Sequence, residues 1–171
     1  MPAAVDGPRL HAGGTIGRSD FHEVMTRFAT CVTVVTAYDV QRPVGCTATA
    51  VFSLTDRPPS MVVSLAAGSG TLRHIRAAGT FAINVLPWHR RELAQQFTTS
   101  ESDRRFEGVS HEERHGAPVL TEAVASVVCR LAQDVPLLDH SLIVGEVISA
   151  GVDGYADPLV LYRRQQRRPA I

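Results

Sequence analysis

A few short runs of this sequence combine residue types and spacings that could do chemistry. His111-Glu112-Glu113-Arg114-His115 has the HExxH spacing, which on a helix sets two imidazoles on one face around zinc. Gly108 stands just before it and Gly116-Ala117-Pro118 just after, no apolar face accompanies it, and no third ligand is evident. The segment therefore reads as a solvated polar loop, no metal is expected, and a metallohydrolase is the third-ranked reading. Gly68-Ser69-Gly70-Thr71 lies where an apolar run gives way to a helical pattern. Unpaired N–H groups at a helix start, with the Ser69 and Thr71 hydroxyls, can hold a phosphate. The same residues also make a plain helix cap, and the residues alone leave both readings open. The third glycine of a dinucleotide fingerprint is replaced by Arg73, and no acidic residue follows at the required distance, which disfavours a Rossmann unit.

Gly45-Cys46-Thr47-Ala48-Thr49-Ala50 is a run of small residues in a strand-like segment. It would admit a flat ring against the backbone, or the close packing of another element, the commoner reason for glycine inside a strand. Asp139-His140 stands at a turn; histidine is the usual acid–base group near neutrality, although a lone one is more often structural. Cys31 follows Thr30 without an identifiable histidine partner, and GxSxG is absent, so neither a cysteine nor a serine nucleophile is supported.

These residues need elements to hold them. Asp20 and Glu23 resemble a capping box, and Phe21, Val24, Met25 and Phe28 repeat at helical spacing. Residues 31–38 and 44–54 are rich in β-branched side chains and read as a hairpin. Residues 61–66, 81–86, 123–135, 140–151 and 158–163 read as further strands. Short helices are expected at 71–79, ending on Gly79, and at 88–97; residues 98–118 read as irregular. Strands adjacent in sequence, without regular alternation with long helices, favour a mainly β protein: a small antiparallel barrel with peripheral short helices. Residues 1–18 read as a mobile tail, 19–163 as the domain, and 164–171 as an exposed basic tail.

Composition removes several function classes. Seventeen basic residues balance seventeen acidic ones, so no general hold on nucleic acid or an anionic membrane is expected. All the basic residues are arginine, which excludes a lysine Schiff base and a P-loop. No apolar stretch is long enough to span a membrane and no secretory leader is evident. Three widely spaced cysteines suit a reducing, cytoplasmic setting.

Taken in order, FATCVTVVTA (28–37), GCTATAVFSLTDRPP (45–59), SGTLRHIRAAGTFAINVL (69–86), ESDRRFEGV (101–109), GAPVL (116–120), VCR (128–130), DHSLIVGEV (139–147) and PLVLY (158–162) resemble the flavin reductase-like family. These are the FMN/FAD-binding split barrels that serve two-component monooxygenases. The resemblance runs from Phe21 to Tyr162. It implies an antiparallel split β-barrel and a homodimer with flavin near the subunit interface. It implies hydride transfer from NADH or NADPH to free FMN or FAD, which then reaches a partner oxygenase. Thr47, Ala48 and Thr49 would line the isoalloxazine, Ser53 would lie near the ribityl chain, and Ser69 and Thr71 would hold the phosphate. Asn84 and Thr30 would lie beside the pocket, and His140 on the nicotinamide side. Cys31 and Leu138 stand where the family usually has glycine. If they obstruct the site, the alternative is a flavin-binding or repurposed barrel without reductase activity.

Overall fold

The computed structural model describes residues 14–153 and 155–169; most of the expected N-terminal tail and the last two residues of the C-terminal one lie outside them. Seven strands form one antiparallel sheet in the order β3-β2-β6-β9-β10-β5-β4. They are β2 (Thr33–Asp39), β3 (Arg42–Ala48), β4 (Val51–Asp56), β5 (Pro59–Ala66), β6 (Thr80–Val85), β9 (Ala125–Leu137) and β10 (His140–Val152). The two edge strands, β3 and β4, are consecutive in the chain, so the sheet curls until its edges meet and the chain crosses between them at Thr49 and Ala50. That is a split barrel, as expected. The single strand read over 44–54 is broken at this corner, where Ala50 accepts a hydrogen bond from the Ser64 N–H (2.9 Å).

The barrel interior is apolar: Val35, Val63, Phe81, Ile83 and Ile143 are buried there. Helix α2 (Gly70–Ala78) covers one end with Leu72 and Ile75. Its left-handed Gly79 (φ 70°) closes it, as the sequence predicts. The other end opens as an apolar mouth of about 300 Å³ among Thr33, Val51, Met61, Ile83, Val85 and Val127, with Cys31 at its edge. Tight packing fixes one glycine inside: a Cβ on Gly145 would lie 2.6 Å from both the Cys129 Cβ and the Phe81 ring.

Several local expectations change. Helix α1 (Arg18–Met25) is capped by Gly17 without a side-chain bond. Asp20 already lies inside its first turn, and Glu23 pairs with Arg27 (3.1 Å) instead of closing a capping box. The segment 88–97 divides into a 3-10 turn (Trp88–Arg90) and α3 (Leu93–Thr99), which buries Leu93 and Phe97. Residues within 98–118 are not all irregular, because β7 (His111–Arg114) pairs with β8 (Ala117–Leu120). In a strand, successive side chains alternate faces, so the HExxH spacing no longer builds a helical zinc face. Among the described residues no cluster of metal-ligating side chains exists. The basic C-terminal tail is also corrected. β1 (Thr30–Cys31), β11 (Val160–Tyr162) and β12 (Gln165–Arg167) form a three-stranded sheet. Arg163 and Arg164, both at positive φ (51° and 61°), make its two-residue turn.

Candidate functional site: a small-residue shelf beside a hydroxyl turn

The corner between β3 and β4 and the loop from β5 to α2 lie side by side. On the corner, Thr49 and Ala50 are exposed; on the loop, Ala66, Ala67, Gly68 and Gly70 are exposed. No side chain in this shelf is larger than threonine, so a planar group can approach backbone on both sides. The cause is local sequence: the strand alternation of β3 ends at Ala48, which turns into the core, and the small residues beyond it cannot fill the surface they leave.

The loop then enters α2. Ser69 is the N-cap, and its Oγ accepts from the Leu72 N–H at 3.4 Å, the long end of a hydrogen bond. The N–H groups of Gly70 and Thr71 point out of the helix start without intrahelical acceptors. The Thr71 side chain is buried, and with Ser69 it lies close to the Cys46 thiol on β3. Burial pushes that thiol up from its ordinary value, and the two hydroxyls and the Arg105 charge pull it partly back. It stays a neutral thiol near neutral pH and adds no negative charge to the turn. Arg105, unnoticed in the sequence reading, brings the positive charge. Its Nε donates to the Ser100 carbonyl (3.1 Å) and its Nη1 to the Gly45 carbonyl (2.8 Å), which fixes the guanidinium one residue from Cys46. Only its place in ESDRRFEGV could have signalled it, and that run looked like surface.

His140 belongs to the same neighbourhood. It pairs with Ala66 in the ladder between β10 and β5. The Ala67 N–H donates to the Asp139 carbonyl and the Ser69 N–H to the Ala66 carbonyl, both at 2.9 Å. The imidazole is half exposed, and its Nδ1 lies 2.8 Å from the Asp139 carboxylate. The hydrogen bond from His140 holds the Asp139 carboxyl below the usual range. Leu138 occupies the left-handed region (φ 55°) at the first position of this two-residue turn, with its side chain wholly in solvent. It therefore leaves His140 unobstructed.

The structure thus brings Thr47, Ala48, Thr49, Ser69, Thr71 and His140 together, though not all by their side chains. Thr47 donates its hydroxyl to the Ala94 carbonyl of α3 (2.8 Å), and Ala48 is buried, so both offer the shelf their backbone. The neighbouring Gly45 has a packing role, since a Cβ there would meet the Val35 carbonyl at 3.0 Å and the Phe97 ring at 3.1 Å. Thr30 and Ser53 lie further along, at the barrel mouth, whose lining residue Val51 directly follows Ala50 of the shelf. Thr30 precedes Cys31 at the mouth, and Ser53 pairs with Met61, which lines it. Asn84 is placed apart from the others. It is completely buried on the opposite face of β6 from Ile83 and Val85, and all its hydrogen-bonding capacity is used inside the protein. Its Nδ2 donates to the Val34 carbonyl and Thr36 Oγ1 (both 3.1 Å), while its Oδ1 accepts from the Leu120 N–H (3.0 Å) and Ser126 Oγ (2.9 Å). A cleft of about 680 Å³ near Tyr38, Gln41 and His74 is lined by none of these residues.

Fold and site together define a split barrel with a hydroxyl-bearing helix start beside an open, small-residue shelf. Residues 25–170 match the flavin reductase like domain, and the chain belongs to that family. It is 38% identical over 148 residues to the reductase component of a 4-nitrophenol 4-monooxygenase/4-nitrocatechol 2-monooxygenase from Rhodococcus opacus, covering 86% of this chain and 79% of that one. It is 36% identical over 153 residues to a flavin reductase (NADPH) from Lentzea aerocolonigenes, covering 86% and 85%. Among solved structures, an NADH:FAD oxidoreductase from Streptomyces globisporus, in complex with NAD and FAD fragments, superposes with a TM-score of 0.82 at 28% identity, covering 90% of this chain and 93% of that one.

Proposed function

We infer that this chain is an NAD(P)H-dependent flavin reductase that reduces free FMN or FAD and hands the product to a separate oxygenase. One observation carries the reading. The segment from Cys46 to Ala50 runs from the hydroxyl turn to the small-residue shelf, so one stretch of strand backbone joins an anion site to a surface for a planar ring. The flavin, when bound, supplies the acceptor for the nicotinamide hydride. Every other contribution belongs to the chain. Ser69, Thr71, the N–H groups of Gly70 and Thr71, and Arg105 hold the phosphate that FMN and FAD share. The backbone at Thr47, Ala48 and Thr49 seats the ring without bulky side chains. His140, oriented by Asp139, borders the face left open to the nicotinamide. Its part is to position, since hydride transfer between two stacked rings needs alignment before acid–base help.

The working unit is a homodimer. Phe21, Val24, Met25 and Phe28 are exposed on and just after α1, as are Phe52 and Leu54 on β4. With the open mouth, these exposed apolar side chains mark surface that a partner protomer can cover. A second protomer covering it puts Thr30 and Ser53 at the interface, where the family places flavin. The relative from Rhodococcus opacus, a reductase component, supports an oxygenase partner. All three cysteines are free, which supports a cytoplasmic site, and no described helix is long and apolar enough to cross a membrane. The test is steady-state oxidation of NADH and NADPH with and without FMN and FAD. Turnover that requires added flavin is expected; a folded protein with none ends the proposal.

A further inference from the structure

Helix α2 carries the phosphate turn at its start and a charged anchor near its end. The Arg76 Nε donates to the Asp134 Oδ2 on β9 at 2.5 Å, and its Nη2 donates to Ser141 Oγ on β10 at 3.1 Å. Ser141 is almost completely buried and directly follows His140. A second tie lies in the loop that enters the helix, where the Ala67 N–H meets the Asp139 carbonyl at 2.9 Å. The β9–β10 hairpin is therefore fastened on both sides of His140, through backbone to the loop before α2 and through the Arg76 fork to α2 itself.

The anchor is not what packing alone would select. Asp134 Oδ1 is shut off from solvent without a hydrogen-bond partner among the described residues, a state that burial ordinarily penalises. An apolar side chain in place of Asp134 would avoid that penalty. A guanidinium that donates to two residues at once, by contrast, fixes direction as well as distance, because its donors form a rigid fork. Backbone pairing with β5 runs unbroken from His140 to Glu146, while the ladder with β9 shifts register between Val144 and Gly145 and again between Val147 and Ser149, so the fork adds a side-chain link from the His140 end of the hairpin to α2. The tip leaves Leu137 half exposed and Leu138 fully exposed.

We propose that Arg76, Asp134 and Ser141 are positioning residues that lock the His140 arm to the helix bearing Ser69 and Thr71, and so set the distance between nicotinamide and flavin. None of the three touches a reacting atom. The inference rests on the reductase reading above, and it adds residues that lie outside the shelf and the turn.

The experiment uses the full chain with Arg76→Met, Asp134→Asn, Arg76→Lys, Ser141→Ala and the exchange Arg76→Glu/Asp134→Arg. Each is measured for the FMN Kd, the KM for NADH, kcat and thermal unfolding. Arg76→Met and Asp134→Asn are expected to raise the KM for NADH about fivefold or more in protein that is fully folded at the assay temperature, with the FMN Kd moving less than about twofold. Arg76→Lys, which keeps one donor, should recover part of the loss, and the charge exchange most of it. Ser141→Ala, which leaves the ion pair intact, should fall between wild type and Asp134→Asn, and serves if the charge variants do not fold. A lower melting temperature with unchanged KM in the folded variants would show a stabilising contact only and overturn the proposal. A wild-type protein that binds FMN but oxidises no NADH removes the reductase reading first, and the positioning role falls with it.

Discussion

Two polar clusters in this barrel use similar groups to opposite ends. Around Asn84, an amide, two hydroxyls, a carbonyl and a backbone N–H are buried or partly buried, and the amide's donors and acceptor are all matched. Around Ser69, the half-buried Ser69 hydroxyl and two helix-start N–H groups border the surface above the buried Thr71 hydroxyl and the Cys46 thiol, with the one N-cap bond stretched to 3.4 Å. The first arrangement holds strands β2, β6, β8 and β9 together; the second has capacity left over. Saturation separates a structural polar cluster from one that awaits a ligand, because a buried polar group must find its partners in the protein while an open one can find them in the ligand.

The comparison breaks most visibly at Asn84. Asn84→Ala leaves the buried Leu120 N–H and the Thr36 hydroxyl with fewer partners, and the loss of stability is expected at about 3 kcal/mol or more. Urea unfolding at constant m reads it directly. A loss below about 1 kcal/mol would show that water or neighbours replace the amide easily, and the contrast would fail. The Ser69→Ala/Thr71→Ala pair should behave in the opposite way, with modest destabilisation and a large effect on ligand. Each lost charge-assisted bond is expected to weaken FMN by about 1.5–3 kcal/mol, while riboflavin, lacking the phosphate, is spared. Equal weakening of both flavins in a fluorescence titration would move the phosphate elsewhere. Arg105→Met sharpens the same point. FMN affinity should fall by about tenfold, less at high salt, since the guanidinium acts partly through a screened field.

These two clusters also mark what the sequence can and cannot reveal. The β-branched runs, the small-residue stretch and Gly79 announce strands, shelf and helix end, because each obeys a local rule. The hydroxyl turn is legible for the same reason. Asn84 is not, since its neighbours in FAINVL say nothing about which face of β6 it occupies. The face follows from strand pairing with Val34 and Ser126, which lie 50 and 42 residues away. Arg105 escapes because its partner is a backbone carbonyl 60 residues away, at Gly45. The C-terminal arginines mislead in the reverse direction. A basic run suggests a solvated tail, yet Arg163 and Arg164 turn the chain so that Gln165, Gln166 and Arg167 can pair with β11.

Leu138 tests the site from the turn that carries His140. A left-handed conformation crowds a β-carbon against the backbone by roughly 1–2 kcal/mol, and the exposed leucine gains no packing to offset it. Glycine relieves the strain but loosens the unfolded chain. Leu138→Gly is therefore expected to raise stability by up to about 1 kcal/mol in thermal unfolding. Unchanged kinetics would show that the departure from the family residue is neutral. An altered KM for NADH would show that the leucine covers the nucleotide.

The smallest effect expected is at acid pH. Arg76, through its hydrogen bond, holds the Asp134 carboxyl below its ordinary value of 3.8. A carboxyl depressed in the folded state binds fewer protons there than in the unfolded chain, so its contribution is complete above the unfolded value and disappears as pH falls through the folded one. Arg76 is partly exposed, which screens the pair and keeps the contribution small. In a series of unfolding curves from about pH 5 down to about pH 3, wild type should lose stability more steeply than Asp134→Asn, and the two curves should converge at the acid end. Parallel curves would mean that the carboxylate is solvated as freely in the folded protein as in the unfolded chain. The Arg76 fork would then exert too little force to hold the His140 arm, and the polar groups bordering α2 would have to be regarded as surface.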